Sequence, residues 1–208
     1  MKKTKRSKKS RSWVIKQHRD QFFKKSKVLG YRSRSAFKLI ELNNKFRFIN
    51  PNSNLLDIGS TPGGWAQVAK AIIKHGKILA IDIKPMESIN GVVFSQCDFM
   101  ESDTKDKILR FFEGKIDVVI SDMAADTTGN KNLDCIRTNL LCSDVIDFST
   151  KILKPAGTLI AKVFMGEDFL QVKKIVEKKF KKIDFFKPES SRNESKETYL
   201  HCKSLKTL

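Results

Sequence analysis

Five short apolar runs, all rich in β-branched residues, restrict what this chain of 208 residues can fold into. They lie at 55–58, 78–83, 92–94, 116–120 and 158–164, and candidate helices lie at 35–48, 64–74, 105–112, 134–153 and 168–180. Strands alternating with helices predict an α/β fold, with a mostly parallel sheet that helices cover on both faces. Two more short runs, at 182–186 and 198–203, predict an antiparallel hairpin at the edge of that sheet.

The length of the chain fits one α/β domain and is too short for two. We predict a basic disordered tail at residues 1–11 and a single domain at 12–208, ordered from about Trp13. Ser35 is the expected cap of the first helix.

A glycine-rich turn, Asp-Ile-Gly-Ser-Thr-Pro-Gly-Gly-Trp at 57–65, follows the first apolar run. A strand, such a turn and a helix together present backbone N–H groups to a nucleotide-like ligand. We expect Gly63 and Gly64 to take positive φ, so that a ligand approaches without meeting a Cβ atom. Because GxGxxG and GxxxxGK[ST] are both absent, a dinucleotide or a nucleoside triphosphate is disfavoured. S-adenosylmethionine, which has no phosphates, fits better; a strand-to-helix turn without a ligand is the alternative.

Charged residues follow or interrupt the later runs, at the strand ends where α/β sheets bind ligands. We expect Asp82 to accept hydrogen bonds from ribose hydroxyls, and Asp98 from an adenine amino group. The alternative is that both are solvated aspartates of turns at strand ends. Lys162 lies inside a run that should be buried, where an unpaired charge is costly. Its natural partner is Asp122, if the fourth and fifth strands are neighbours. We expect Trp65, which opens a helix, to contact the ligand; the alternative is an anchor in the core.

The charge of the chain predicts a polyanionic partner. Lys and Arg total 41 against 23 Asp and Glu, a net charge of +18. Basic residues concentrate in the first 35 positions and again at 173–187, a distribution typical of a nucleic-acid surface. Arg32 and Arg34 are expected to contact the nucleic-acid backbone. For the second run, a merely solvated helix face is the alternative.

Other features exclude several classes of protein. We find no apolar stretch long enough to span a membrane and no signal-peptide core, so a cytoplasmic location is predicted. The four cysteines and three histidines have no metal-binding spacing, which indicates no metal site and reduced thiols. No long apolar stripe suggests a partner face, and a monomer is expected.

Six segments of the chain form a recognisable set. They are Tyr-Arg-Ser-Arg-Ser-Ala-Phe-Lys-Leu at 31–39, Leu-Asp-Ile-Gly at 56–59, Pro-Gly-Gly-Trp at 62–65, Ser-Asp-Met-Ala at 121–124, Lys-Val-Phe at 162–164 and Ser-Lys-Glu-Thr-Tyr at 195–199. Together they make the chain, from about residue 13 to 202, similar to the FtsJ-type RNA 2'-O-methyltransferases, and closely similar to the bacterial members that act on 23S ribosomal RNA. The family usually has alanine in place of Ser60 or Thr61, which affects no catalytic position.

The resemblance implies the fold, the cofactor and the site. The fold would be the Rossmann-like class I methyltransferase fold with a seven-stranded, mostly parallel sheet, and the cofactor S-adenosylmethionine. The family's catalytic tetrad would be Lys38, Asp122, Lys162 and Glu197. The residues that bind the cofactor would be Gly63, Trp65, Asp82, Asp98 and Asp122.

The resemblance also implies the reaction, methylation of a uridine 2'-hydroxyl in the peptidyl-transferase region of 23S rRNA within a large ribosomal subunit. DNA lacks that hydroxyl. Lys162 has two candidate roles. As a neutral amine, which the nearby cation Lys38 favours, it would accept the hydroxyl proton. As an ammonium, which Asp122 favours, it would orient the hydroxyl and stabilise developing charge. Glu197 would hold Lys38 or the ribose in place.

Two other functions stay open at this point. One is 2'-O-methylation of tRNA or another RNA. The other is a non-catalytic, basic RNA-binding module that assists ribosome assembly. An intact tetrad argues against the second, because a pure binder does not need Lys162 in a buried strand.

Overall fold

The computed structural model describes residues 20–206, and its centre is one seven-stranded sheet. The strands are β1 (Leu55–Ile58), β2 (Ile78–Asp82), β3 (Val93–Gln96), β4 (Ile116–Ser121), β5 (Leu153–Phe164), β6 (Phe180–Phe186) and β7 (Glu197–Leu205). Their order across the sheet is β3-β2-β1-β4-β5-β7-β6. Strands β1 to β5 are parallel, and β7 is antiparallel to both β5 and β6. The predicted mostly parallel sheet is therefore confirmed.

Six helices of the described chain surround the sheet. They are α1 (Gln21–Val28), α2 (Ala36–Phe46), α3 (Gly64–Ile72), α4 (Ser102–Phe112), α5 (Lys131–Ile152) and α6 (Phe169–Lys179). Helix α5 starts earlier than predicted because the Asn130 side chain caps it, accepting hydrogen bonds from two amides of the first turn. Helix α1 was not predicted because its apolar residues, Phe22, Phe23 and Val28, do not recur at the three- and four-residue spacing of an apolar stripe.

The core has one layer on each face of the sheet. Residues alternate between the faces along β1, so Leu56 and Ile58 belong to one layer and Leu55 to the other. Helices α4, α5 and α6 cover the first face, and α2 and α3 cover the second. Strand β1 is buried at all four residues and lies between β2 and β4, so the glycine-rich turn that follows it lies in the interior part of the sheet.

One detail of the sequence analysis was confirmed and one was wrong. The antiparallel hairpin at the edge of the sheet is confirmed: β6 is the edge strand, and β7 lies between β6 and β5. The reason is composition: the first six residues of β7 are buried, whereas β6 exposes Lys181, Lys182 and Asp184, as edge strands do. Ser35 precedes α2, but its side chain forms no capping bond and instead pairs with the Ser33 hydroxyl.

Other expectations are only partly addressed. The predicted tail at 1–11 and the start of order at Trp13 lie outside the described residues. Within residues 20–206, no helix has both the length and the apolar character that crossing a membrane requires. All four cysteines are free thiols.

Candidate active site

A cavity of about 760 Å³ opens at the carboxyl ends of the parallel strands. Its lining comes from the ends of β1 and β2 and the residues just after them, the residues that follow β3 and β4, and helix α5. The residues that matter for chemistry there are Gly59, Asp82, Asp98, Asp122 and Arg137. Three of the five residues predicted to bind a cofactor therefore line one cavity: Asp82, Asp98 and Asp122.

The glycines of the turn serve different purposes. Gly59 has φ +77°, and a Cβ atom there would lie 2.5 Å from Met123 Cγ, so the turn depends on this glycine. Gly63 has φ +107°, as predicted. The prediction for Gly64 was wrong, because this residue has no positive φ and begins α3. Its lack of a side chain is needed for packing: a Cβ atom would lie 2.4 Å from Ser33 Oγ.

Main-chain amides orient the two carboxylates on the β2 and β3 side of the cavity. Asp82 Oδ2 accepts a hydrogen bond from the Thr61 amide at 2.9 Å, and Asp82 Oδ1 accepts one from the Lys84 amide at 2.8 Å. Asp98 Oδ1 accepts from the Met100 amide at 2.8 Å. A carboxylate oxygen has more than one acceptor site, so these groups keep capacity for ligand hydroxyl or amino groups.

The side chain of Trp65 does not reach the cavity. It is 2% exposed, its indole donates to the Ser35 carbonyl oxygen at 2.8 Å, and its ring lies 5.6 Å from that of Tyr199. The side chain therefore fits the alternative of an anchor in the core, and the ligand contact expected of Trp65 stays a prediction. Gly63 is not among the residues that line the cavity, and a Cβ atom added there would meet Met86 and Ile89.

Two ion pairs bring the predicted tetrad together beside the cavity. Lys162 Nζ lies 2.8 Å from Asp122 Oδ1 and donates a second bond to the Asp122 carbonyl oxygen at 2.8 Å. Lys38 Nζ lies 2.7 Å from Glu197 Oε1. Strands β4 and β5 are neighbours, as the predicted pairing of Lys162 with Asp122 required. Lys38, Lys162 and Glu197 are all buried, so each charge depends on its partner.

Tyr199 joins the two ion pairs, and the sequence analysis missed its role. Its hydroxyl donates to Asp122 Oδ1 at 2.5 Å, and Lys38 Nζ lies 5.7 Å from the centre of its ring. Because Tyr199 is two residues after Glu197 in β7, both side chains project from the same face of the sheet. That spacing is the signal that could have placed Tyr199 in the site.

Burial and neighbouring charges shift two pKa values in this cluster. Burial raises the pKa of Asp122, but the cations Lys162 and Lys38 and the hydrogen bonds from Lys162 and Tyr199 outweigh it, so the pKa is lowered. The pKa of Tyr199 is well above its ordinary value, first because of burial and then because of Asp122 and Glu197. Asp122 is therefore an anion and Tyr199 a hydrogen-bond donor at neutral pH.

Asp57, on β1, contrasts with Asp122. It is fully buried, and neither of its carboxylate oxygens has a hydrogen-bond partner in the protein. Burial, followed by the charges of Asp122 and Asp82, raises the pKa of Asp57 well above its ordinary value.

The two arginines expected to contact nucleic acid are engaged within the protein. Arg32 donates to three main-chain carbonyl oxygens, and Arg34 pairs with Asp20 and donates to the Ser190 carbonyl oxygen. Sequence could not reveal this, because main-chain acceptors in distant loops leave no mark in the residue pattern.

The second basic run lies largely away from the cavity. Strand β6 points in the same direction as the parallel strands. Its first residues, including Lys181 and Lys182, therefore lie at the amino ends of those strands, away from the cavity at their carboxyl ends. Lys179, at the end of α6, pairs with Asp147 at 3.2 Å. The solvated-face alternative therefore describes this part of the run better.

Comparison with known proteins gives consistent results. A family model described as FtsJ-like methyltransferase matches residues 31–205. A protein named ribosomal RNA large subunit methyltransferase E from Rickettsia conorii is 43% identical over 202 residues, which cover 94% of this chain and 89% of the relative. A protein of the same name from Pelagibacter ubique is 40% identical over 197 residues, covering 95% and 97%.

Solved structures show the same fold. A ribosomal RNA methyltransferase from Plasmodium falciparum superposes with a TM-score of 0.75 and 33% identity, covering 84% of this chain and 98% of that one. Human methyltransferase-like protein 13, solved in complex with SAH, gives a TM-score of 0.58 at 16% identity, covering 81% and 79%. The fold is the Rossmann-like class I methyltransferase fold.

Proposed function

Because the chain belongs to the FtsJ-like methyltransferase family, we propose that it transfers a methyl group from S-adenosylmethionine to the 2'-hydroxyl of a uridine in 23S rRNA of the large ribosomal subunit. The observation that carries this proposal is the pair of buried ion pairs, Lys162–Asp122 and Lys38–Glu197, beside the cavity. The names of the relatives support ribosomal RNA of the large subunit as the substrate.

The residues of the cavity fit the cofactor. Its volume of about 760 Å³ suits a ligand of this size. Asp82 would hold the ribose hydroxyls and Asp98 the adenine amino group, while Gly59 keeps the wall free of side chains. S-adenosylmethionine supplies an activated methyl group on a sulfonium. The acidic lining at Asp82, Asp98 and Asp122 complements that positive charge.

Lys162 would act on the acceptor hydroxyl. Two bonds of its nitrogen go to Asp122, which leaves one tetrahedral position for the hydroxyl oxygen. If Lys162 is an ammonium, that position carries a proton that stabilises the developing oxyanion, and the hydroxyl proton passes to water. If Lys162 is neutral, the position carries the lone pair that takes the hydroxyl proton. A pH–rate profile separates the roles, because only the neutral amine gives a rate that rises as the lysine loses its proton.

The remaining tetrad members would align the substrate. Lys38 and Glu197 hold each other, so the Lys38 ammonium has a fixed position near the ring of Tyr199. A fixed cation beside the reacting ribose stabilises negative charge without reorganisation, and alignment of the hydroxyl supplies much of the acceleration in a displacement of this kind.

Cations near the site suit an RNA substrate. Helix α1 exposes Lys24, Lys25 and Lys27 and packs against α2, the helix that carries Lys38. Contacts between such lysines and phosphates are salt-dependent, and a 2'-hydroxyl acceptor requires RNA.

The test measures transfer of labelled methyl to large ribosomal subunits, and to deproteinised 23S rRNA, from cells that lack this protein. Wild type, Lys162→Ala and Lys154→Ala are compared. Lys154 lies on the same strand, β5, and forms an exposed ion pair with Asp117, so it is the matched control. Label should appear at a uridine 2'-oxygen with wild type and Lys154→Ala, and should be absent with Lys162→Ala while that variant still binds the cofactor.

Three outcomes would contradict the proposal. Label on tRNA or capped RNA, with none on ribosomal RNA, would change the substrate. RNA binding without any methyl transfer would indicate a non-catalytic role. Full turnover by Lys162→Ala would remove Lys162 from the mechanism.

A further inference from the structure

Arg32 bridges two loops that meet at the cavity. Its Nη1 donates to the carbonyl oxygens of Pro62, at 3.3 Å, and Glu87, at 2.6 Å, and its Nη2 donates to that of Ser88, at 2.8 Å. Pro62 belongs to the glycine-rich turn after β1, whereas Glu87 and Ser88 belong to the loop that follows β2. One guanidinium therefore ties together two segments that are not continuous in the chain.

Arg32 is itself fixed in place by helix α3. The amide of Arg32 donates to Gln67 Oε1 at 2.8 Å, and Gln67 Nε2 donates back to the Gly30 carbonyl oxygen at 3.1 Å. Only 20% of the Arg32 side chain is exposed. Such a side chain holds its neighbours and has little surface left for an external phosphate.

The two tied segments are the ones that orient Asp82. The glycine-rich turn provides the Thr61 amide for Asp82 Oδ2, and the loop after β2 provides the Lys84 amide for Asp82 Oδ1. The Thr61 hydroxyl also donates to the Lys84 carbonyl oxygen, at 3.0 Å. Any separation of the turn from the loop would pull these amides apart and turn the carboxylate.

We infer that Arg32 is a positioning residue for the cofactor: it clamps the loop after β2 onto the glycine-rich turn and so holds Asp82 in the orientation that binds the ribose. The inference rests on the proposed use of S-adenosylmethionine. It assigns Arg32 a role different from the phosphate contact that charge alone predicts. A planar guanidinium reaches carbonyl oxygens in two directions, whereas a lysine offers a single nitrogen, so the position requires arginine.

The test compares Arg32→Ala and Arg32→Lys with wild type, and with Arg110→Ala as a control that removes an exposed arginine from α4. Titration calorimetry with S-adenosylmethionine should show a Kd about tenfold higher for Arg32→Ala, an intermediate Kd for Arg32→Lys and no change for the control. In steady state, KM for the cofactor should rise, while kcat and KM for ribosomal subunits should stay within about twofold of wild type.

Hydrogen exchange adds a readout that a general loss of stability would not reproduce. In Arg32→Ala the amides of Thr61 and Lys84 should exchange faster, whereas amides of β4 and β5 should not.

Different results overturn different statements. An unchanged cofactor Kd in Arg32→Ala, with weaker RNA binding and a smaller salt dependence, would make Arg32 a phosphate contact and refute the clamp. Wild-type protein that binds no S-adenosylmethionine would refute the proposed function, whatever the variants do.

Discussion

The two halves of the cavity edge are built in different ways. The half proposed to bind the cofactor, called the cofactor half below, lies at the ends of β1, β2 and β3. It contains Asp82 and Asp98, whose carboxylates accept hydrogen bonds from main-chain amides of nearby turns. The half proposed to carry the chemistry, called the catalytic half below, lies at the ends of β4 and β5 and the start of β7, and it pairs Asp122 and Glu197 with buried lysines from other elements. Loss of a charge should therefore be tolerated structurally in the first half and should disrupt the second.

Asp57 and Asp122 show this contrast within one residue type. Both lie at the middle of the sheet, yet the pKa of Asp57 is raised by burial and the pKa of Asp122 is lowered by its cationic partners despite burial. Partners, rather than depth, decide which of the two carries charge.

The largest expected effect comes from exchanging one aspartate in each half for asparagine. Asp122→Asn should lower kcat about 1000-fold or more, because Lys162 loses the anion that fixes it. Asp82→Asn should raise KM for S-adenosylmethionine about tenfold and change kcat little. The asparagine side chain has a single acceptor oxygen, so it can accept from the Thr61 amide or the Lys84 amide but not from both. Steady-state kinetics checks both; equal losses of kcat would erase the distinction between the halves.

The next largest expected effect is a loss of stability when an ion pair of the catalytic half is broken. Glu197→Gln leaves the buried Lys38 ammonium without its counter-ion and should lower the free energy of unfolding by about 3 kcal/mol. Glu113→Gln is the matched control, because Glu113 pairs with Lys77 at the exposed surface, and it should cost less than about 1 kcal/mol. Urea unfolding measures both, and similar losses would mean that the Lys38–Glu197 pair contributes no more than a surface pair.

The cofactor half should depend on backbone shape. Gly59→Ala introduces a Cβ atom at positive φ and against Met123, and should lower stability by about 2–3 kcal/mol. Gly30→Ala has a similar φ, +73°, but no atom within 4 Å of the added carbon, and should cost about 1 kcal/mol. The difference between the two losses of unfolding free energy, measured with urea, isolates the contact with Met123. Equal losses would show that Met123 moves aside without a measurable cost.

The smallest expected effect is on the pH dependence of the free energy of unfolding, which should change in opposite directions for variants of Asp57 and Asp122. A lowered pKa contributes stability above the unfolded value of about 4 and loses it as pH falls through the folded pKa, so Asp122→Asn should cost more at pH 7 than at pH 3. A raised pKa contributes stability at low pH and loses it as pH rises from about 4, so Asp57→Asn should gain on wild type between pH 4 and pH 8. Parallel curves for the two variants would contradict the opposite shifts.

Sequence predicted the parts of the site that local pattern or chemistry constrains. The strand ends at Asp82, Asp98 and Asp122 followed from the alternation of runs, and the Lys162–Asp122 pair followed from the cost of a charge in a buried strand. The Lys38–Glu197 pair came from the family resemblance, since α2 and β7 are far apart in the chain.

What sequence did not predict depends on packing between distant segments. In the sequence, Tyr199 is an ordinary aromatic residue of a strand. Its hydroxyl reaches Asp122 only because β7 pairs with β5 in the folded protein. The sequence likewise predicts Arg32 to be a free cation, whereas in the fold it donates to carbonyl oxygens of the loop after β2. Helix α1 has no periodic apolar stripe in its sequence, although Phe22 packs against Phe37, and its capping residue, Asp20, is its clearest sequence signal.

The position of β7 has a consequence for the order in which the protein is made. Strand β6 is synthesised before β7, yet among the described strands it joins the sheet only through β7. Glu197 and Tyr199, which complete the catalytic half, emerge from the ribosome in that same late strand. During translation, the turns of the cofactor half can form while the nascent chain is still inert, and chemistry becomes available only when the outer strands assemble.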